Sequence, residues 1–181
     1  MKAKILVYTL PALILATIHL ADAQQAGNIP RIGFLSQAAP PAPNLEAFRQ
    51  GLRERGYVEG KNIVIEYRNA EGKPDRLPNL ASDLVRLKIN GMVVVGGEAT
   101  LAAKNATTVI PIIMVAASDP VGTGLVASLA RPGGNITGIS FFGPESSGKR
   151  LELLKEVVPG LSRVAAVAYS ANPAYKLQLK E

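Results

Sequence analysis

The chain has 181 residues, 48% of them hydrophobic and 5% aromatic, with no Cys, no Trp and a formal net charge of +6. That length fits one or two lobes with ordinary cores, while the lack of Cys excludes a disulfide framework, a thiol nucleophile and a thiolate metal site. The positive charges are scattered and form no basic run, which argues against a nucleic-acid-binding face.

Lys2 and Lys4 precede an apolar stretch from Ile5 to Ile18, and Ala21-Asp22-Ala23 has the small-x-small form of a cleavage site. Together they predict a signal peptide over residues 1–23, cleavage after Ala23 and an exported, periplasmic product. The apolar stretch is shorter than the ~20 residues of a membrane span, and no Cys at the cleavage point offers a lipid anchor. Gln24 to Pro30 reads as a polar tether.

The mature chain then alternates strand and helix patterns. Arg31 to Leu35 is the first expected strand, followed by an Ala- and Pro-rich loop and a helix capped by Asn44, with Leu45, Phe48 and Leu52 at helical spacing and Gly56 at its end. Ile63 to Tyr67 is the second strand; Glu66 inside it predicts an edge position, since a central strand would have to bury that charge. Pro74 or Asp75 opens a helix carrying Leu77, Leu80, Leu84 and Leu87 and ended by Asn90-Gly91. Met92 to Val95 is a third, wholly apolar strand, followed by Gly96-Gly97 and a short Ala-rich helix to about Thr107. The run Ile112 to Ala117 is a fourth strand, leaving through Ser118-Asp119-Pro120 into a short helix from about Val121 to Leu129. After the turn signal Arg131-Pro132-Gly133-Gly134-Asn135, Ile136 to Phe142 gives a fifth strand.

Five such alternations with short connections predict an α/β fold, a doubly wound parallel sheet in the order 2-1-3-4-5. Residues 24–142 form this N-terminal lobe. Residues 143–181 start again: Ser146 and Ser147 cap a helix with Leu151, Leu154 and Val158, Pro159-Gly160 stops it, and Val164 to Tyr169 is a sixth strand. This region is expected to be an interlobe crossover and an incomplete second α/β lobe.

The only histidine, His19, falls in the predicted leader, so no His-based triad, acid-base pair or metal site is expected in the mature chain. No cofactor and no enzymatic activity are expected. Gly143 to Arg150 comes within one residue of a phosphate-binding P-loop, but Arg150 replaces the Ser or Thr that would hold magnesium and Glu145 puts a negative charge in the cradle. Asn105-Ala106-Thr107 and Asn135-Ile136-Thr137 match the glycosylation sequon and are read as turn and capping residues.

Doubly wound sheets collect ligands where strand order reverses, at the carboxyl ends of the strands. The candidate ligand residues are therefore Ser36 and Gln37 after the first strand, Gly97, Glu98, Ala99 and Thr100 after the third, and Ser118, Asp119, Pro120 and Val121 after the fourth. Helix starts at such ends suit a carboxylate or phosphate; Thr100 and Ser118 offer hydroxyl donors, and Asp119 or Glu98 offers a partner for an ammonium group. Asp119 has a competing reading as a helix cap.

Several segments taken together carry a family likeness: Arg31 to Ser36 (RIGFLS), Phe48 to Tyr57 (FRQGLRERGY) with Gly60 to Ile63, Leu77-Pro78 with Leu84 to Leu87, Ala102 to Lys104 with Ile110 to Ile112, Ser118 to Gly122, and Leu129 to Gly138 (LARPGGNITG). As a set they resemble the solute-binding proteins of ABC transporters with a type I periplasmic-binding fold, a family that includes tryptophan- and tyrosine-type binders. The resemblance implies two lobes closing on a small solute, an amino acid or related small molecule, and delivery to a membrane permease by a monomer. Glu98-Ala99-Thr100 departs from the Thr-Pro or similar small residues that relatives often carry there. Relatives continue well beyond Glu181, which implies a chain ending inside the second lobe. The alternative role for the same cleft is an extracytoplasmic ligand-sensing domain of a signalling system.

Overall fold

Apolar runs separated by amphipathic segments give the chain from Arg31 onward its layers. The computed structural model describes residues 29–38, 43–141 and 145–165. Five strands, β1 (Arg31–Ser36), β2 (Val64–Asn69), β3 (Gly91–Val95), β4 (Ile112–Ser118) and β5 (Ile136–Phe141), form one sheet in the order β2-β1-β3-β4-β5. Every neighbouring pair is parallel, so all strand carboxyl ends lie along one edge. The expected order is the observed one.

Glu66 marks the edge strand as its charge predicted. Its carboxylate accepts a hydrogen bond from Arg31 at 2.7 Å and lies 3.7 Å from Arg68, so the charge is compensated at the rim of the sheet.

The helices α1 (Pro43–Glu54), α2 (Leu77–Arg86), α3 (Gly97–Ala106) and α4 (Glu145–Val157) differ from expectation mainly at their ends. Asn44 lies inside α1, whose first residue is Pro43; the fixed φ of proline suits that position and its missing N–H costs nothing there. The other end follows the sequence signal: Gly56 has φ +82, and Tyr57 N–H reaches back to Leu52 O at 2.9 Å while Gly56 N–H reaches Arg53 O at 3.0 Å, a Schellman closure. Arg49 on α1 bonds Glu46 and Glu59, and these carboxylates raise its already high pKa.

A turn of 3₁₀ helix, Pro74–Arg76, leads into α2, with Pro78 tolerated in the first turn. Lys88, at φ +53, closes α2 before Asn90 is reached. Asn90 has a different duty: its amide oxygen accepts Arg31 N–H at 2.8 Å and its own N–H donates to Arg31 O at 2.7 Å, fixing the entry to β1.

The two sheet faces are unequal. One is covered by α2 and α3 over a core that includes Leu35, Leu77, Leu84, Met92, Val94 and Ile112. The other carries a small cluster of Phe34, Leu45, Ile65 and Val93 beneath α1. Gly33 permits the close approach on the larger side, since an added Cβ would meet the Leu84 methyls at 3.2 Å and the Ile89 δ-methyl at 2.7 Å.

The segment after β4 is not the expected helix. Residues 120–127 form successive turns in which Thr123 N–H bonds Asp119 O at 3.0 Å and Leu125 N–H bonds Pro120 O at 2.8 Å. Gly122 and Gly124, the latter at φ +70, weaken a helix this short and favour turns. Leu125 and Val126 are nevertheless buried, which is why their spacing imitates an amphipathic helix.

α4 begins at Glu145, so Ser146 and Ser147 fall within it and do not precede it. Its expected apolar residues Leu151, Leu154 and Val158 are all exposed, and Gly160 follows at φ +85. The predicted signal peptide, Gly143 and Pro144 of the P-loop-like stretch, and most of the predicted sixth strand lie outside the described residues.

Candidate functional site

Parallel pairing brings three of the strand ends into register. Ser36 lies opposite Val95, and Val95 opposite Val115, so the residues following β1, β3 and β4 emerge side by side at the carboxyl-terminal edge. β1 is the switch strand here, its chain leaving toward β2 on one side while β3 and β4 continue on the other.

After β1, Ser36 is buried, and its carbonyl accepts Ala70 N–H at 2.9 Å. Gln37 accepts Gly72 N–H at 2.8 Å. The loop after β2 therefore braces the loop after β1 through its backbone, leaving the Gln37 side chain half-buried beside it.

After β3, Gly96 takes φ +98 and its N–H donates to Val115 O at 2.9 Å, tying the turn to β4. Among the described residues no side chain caps α3. The first intrahelical bond is Thr100 N–H to Gly96 O at 3.0 Å, so the N–H groups of Gly97, Glu98 and Ala99 have no helical acceptor. With the positive end of the helix dipole behind them, they form a donor set suited to a carboxylate.

The side chains of this turn are arranged differently from the sequence reading. Thr100 is fully buried, and its hydroxyl donates to Gly96 O at 2.7 Å; it serves the helix instead of facing a solute. Ala99 is also fully buried, so only its backbone faces the edge. Glu98 lies in the first turn of α3, where negative charge is favoured. Both of its carboxylate oxygens are inaccessible and without a hydrogen-bond partner among the described residues.

After β4, the backbone does something for which the sequence gives no cue. Ala116 adopts φ +62 and is bulged: Val115 pairs with Ile139 and Ala117 with Ser140, leaving Ala116 without a partner. Bulges re-aim the residues beyond them, here Ala117 and Ser118 at the site edge. Asp119 follows at φ +40, and its Oδ1 accepts Gly122 N–H at 2.8 Å while its carbonyl accepts the Thr123 hydroxyl at 2.7 Å. Pro120 is buried and Val121 exposed.

Of the two readings of Asp119, this geometry has the capping one built in, as the cap of a turn in place of a helix. Asp119→Asn keeps an acceptor for Gly122 N–H and tolerates positive φ, so it is expected to melt within a degree or two of the parent. Asp119→Ala loses the cap, with a stability cost of about 1–2 kcal/mol. Solute affinity measured on Asp119→Asn is expected to change less than twofold; a tenfold loss with unchanged melting would assign the carboxylate to the ligand instead.

Residues 42–181 match the family described as ABC transporter substrate binding protein. The chain is 36% identical over 141 residues to a tyrosine-binding protein of Clostridioides difficile (strain R20291), a match covering 76% of this chain and 40% of that one. Among solved structures, it is similar to an ABC domain from Streptococcus pneumonia in complex with L-Trp, with TM-score 0.74 and 30% identity, and to a conserved domain protein from Vibrio cholerae, with TM-score 0.73 and 30% identity. Each of these two matches covers 84% of this chain and 52% of the other. The chain thus spans about half the length of these solved structures and two fifths of the curated relative.

Proposed function

The chain belongs to the ABC transporter substrate-binding protein family, and on that premise we propose that it is the extracytoplasmic solute-binding component of an importer. Its solute is an amino acid or a related zwitterion, held at the carboxyl-terminal edge of the sheet and handed to a membrane permease. The role is binding and release, not catalysis, and the compartment is the periplasm.

The observation that carries this reading is the uncapped start of α3 at the point where strand order reverses. The N–H groups of Gly97, Glu98 and Ala99, which have no hydrogen-bond acceptor among the described residues, face the same edge as the ends of β1 and β4. A solute carboxylate placed there completes the hydrogen bonding the helix lacks. The tyrosine-binding relative and the neighbour solved with L-Trp support an amino acid as the class. A second lobe closing over this edge would supply the burial that small-molecule affinity requires.

A solute at a hundred times its dissociation constant stabilises the bound state by ~2.7 kcal/mol, which for a chain of this size raises Tm by roughly 5–10 °C. L-tyrosine and L-tryptophan are expected to produce such a rise. L-tyrosinamide, which keeps the ring and the ammonium but has no carboxylate, is expected to give less than half of it. Unchanged melting with both amino acids, or an equal rise with the amide, would overturn the proposal.

A further inference from the structure

We infer that the cavity between the last turn of α3 and the segment from Gly124 to Ile136 is a second ligand site, which takes a carboxylate on a short apolar stem and meets its charge with Lys104. The cavity has a volume of about 600 Å³, a size typical of small-molecule sites. Leu125, Val126 and Ile136 are among its apolar lining residues. Among the described residues Lys104 is the one charged residue in the lining.

Two independent observations meet here. The first is the place of the Lys104 ammonium. Its Nζ donates to Gly124 O, and Gly124 lines the same cavity, so the charge lies at the cavity wall. Lys104 is half-buried, whereas every other lysine among the described residues is exposed. An ammonium carries three donors; one is taken by Gly124 O, and the other two have no partner among the described residues. The second is the shortage of acceptors that would oppose an anion. Asn135 Nδ2 donates to Thr107 O at 3.2 Å and to Ile110 O at 2.8 Å, which occupies carbonyls beyond the end of α3. The Gly134 N–H, also in the lining, has no acceptor among the described residues. A carboxylate on a short alkyl stem suits both: its oxygens accept from Lys104 and the Gly134 N–H, and its methylenes meet the apolar wall.

The site is separate from the proposed solute edge. Lys104 stands in the last turn of α3 and Ile136 opens β5, so the cavity lies toward the amino-terminal edge of the sheet. Gly97, Glu98 and Ala99 are at the other end of the same helix. None of the strand-end residues, from Ser36 to Val121, lines the cavity. The inference therefore goes beyond the solute-binding reading and does not depend on it.

The test uses the full chain and sodium butyrate, followed by backbone amide chemical shifts, with 1-butanol as the neutral analogue and sodium chloride as the salt control. A ligand of this size is expected to bind weakly, with Kd on the order of 1 mM, and to shift the amides of Lys104, Gly124 and Gly134 saturably. Neither 1-butanol nor sodium chloride is expected to give a saturable response there. Lys104→Met, which keeps an unbranched stem and loses the charge, should weaken butyrate at least tenfold; Lys104→Arg, which restores a cation, should hold it to within threefold. An equal response to 1-butanol or to sodium chloride, or unchanged butyrate binding in Lys104→Met, would remove the site. Because the start of α3 also suits a carboxylate, the amides of Gly97, Glu98 and Ala99 serve as a second readout. Butyrate shifts confined to those three would reject this cavity alone. Saturable shifts at Lys104 and Gly134, without any effect of L-tyrosine or L-tryptophan on the chain, would uphold the cavity and reject the amino-acid reading.

Discussion

Gly138→Ala is expected to cost about 3–5 kcal/mol of stability, far more than its single added methyl group implies. Gly138 sits in β5 at φ +145 and pairs with Met114 of β4. A Cβ there would lie 2.8 Å from both the carbonyl carbon and the nitrogen of Met114, and closer still to its carbonyl oxygen. Those atoms belong to the backbone of an inner strand whose side chain is buried in the larger core, so β4 cannot yield and β5 must move away. The urea midpoint should fall accordingly, and hydrogen exchange should rise first along Ile136–Phe141. Gly134→Ala is the matched control: nothing lies within 4 Å of its would-be Cβ, and it should stay within ~0.5 kcal/mol of the parent. A Gly138→Ala protein as stable as that control would show that β5 is not held against β4 as described.

This strand also bears on the site. Ser118 at the end of β4 pairs with Phe141 at the end of β5, beyond the bulge at Ala116. Loosening β5 therefore frees the segment that presents Ser118 and Asp119. The same variant should lose solute affinity although no substituted atom touches a solute.

The sheet order was readable because one residue reported on it. Glu66 interrupts an apolar run, a charge demands an edge, and right-handed crossovers then leave the order 2-1-3-4-5. The strands were readable to within one or two residues from their apolar runs, although those runs do not report burial on both faces: Ile113 of β4 and Ile139 of β5 are exposed. The errors came where different structures share one pattern. Leu125 and Val126 are buried in successive turns, and the spacing of Val121, Leu125 and Leu129 is also that of a helix. Pro43 and Asn44 are both good helix-start residues, and the structure uses Pro43 as the first helical residue. The bulge at Ala116 had no sequence signal, because Ala-Ala at a strand end looks the same paired or displaced.

The candidate site was legible by position and not by contact. Strand-end reasoning located the turns after β1, β3 and β4, yet could not tell that Thr100 turns inward to Gly96 or that Asp119 holds Gly122. Ser, Thr and Asp near a helix start serve either the backbone or a ligand, and only the local φ/ψ decides. Glu98 shows the limit from the other direction. Pro74 and Asp75, which line one cavity with it, come from the turn after the edge strand, and the packing of α2 against α3 that brings them near is a tertiary fact.

Phe34→Ala is the second substitution expected to have a large effect, about 3–5 kcal/mol. Phe34 is 1% exposed, and its ring lies 5.4 Å from Phe48 of α1 and 5.9 Å from Tyr67 of β2, both at tilted angles that aromatic pairs favour. Among the described residues the other fully buried members of the cluster on this face are Leu45, Ile65 and Val93, with Phe48 and Leu52 of α1 partly buried against it, so the ring is the largest fully buried group beneath α1. The larger core on the opposite face does not depend on it. The loss should therefore be local before it is global: protection of α1 amides should fall by more than that of β3 and β4, and Phe34→Leu should recover over half of the lost stability. Solute binding should follow α1, because the loop carrying Ser36 and Gln37 is strung between β1 and that helix. Uniform destabilisation with α1 no weaker than the inner strands would mean that the helix is held by something other than this aromatic cluster.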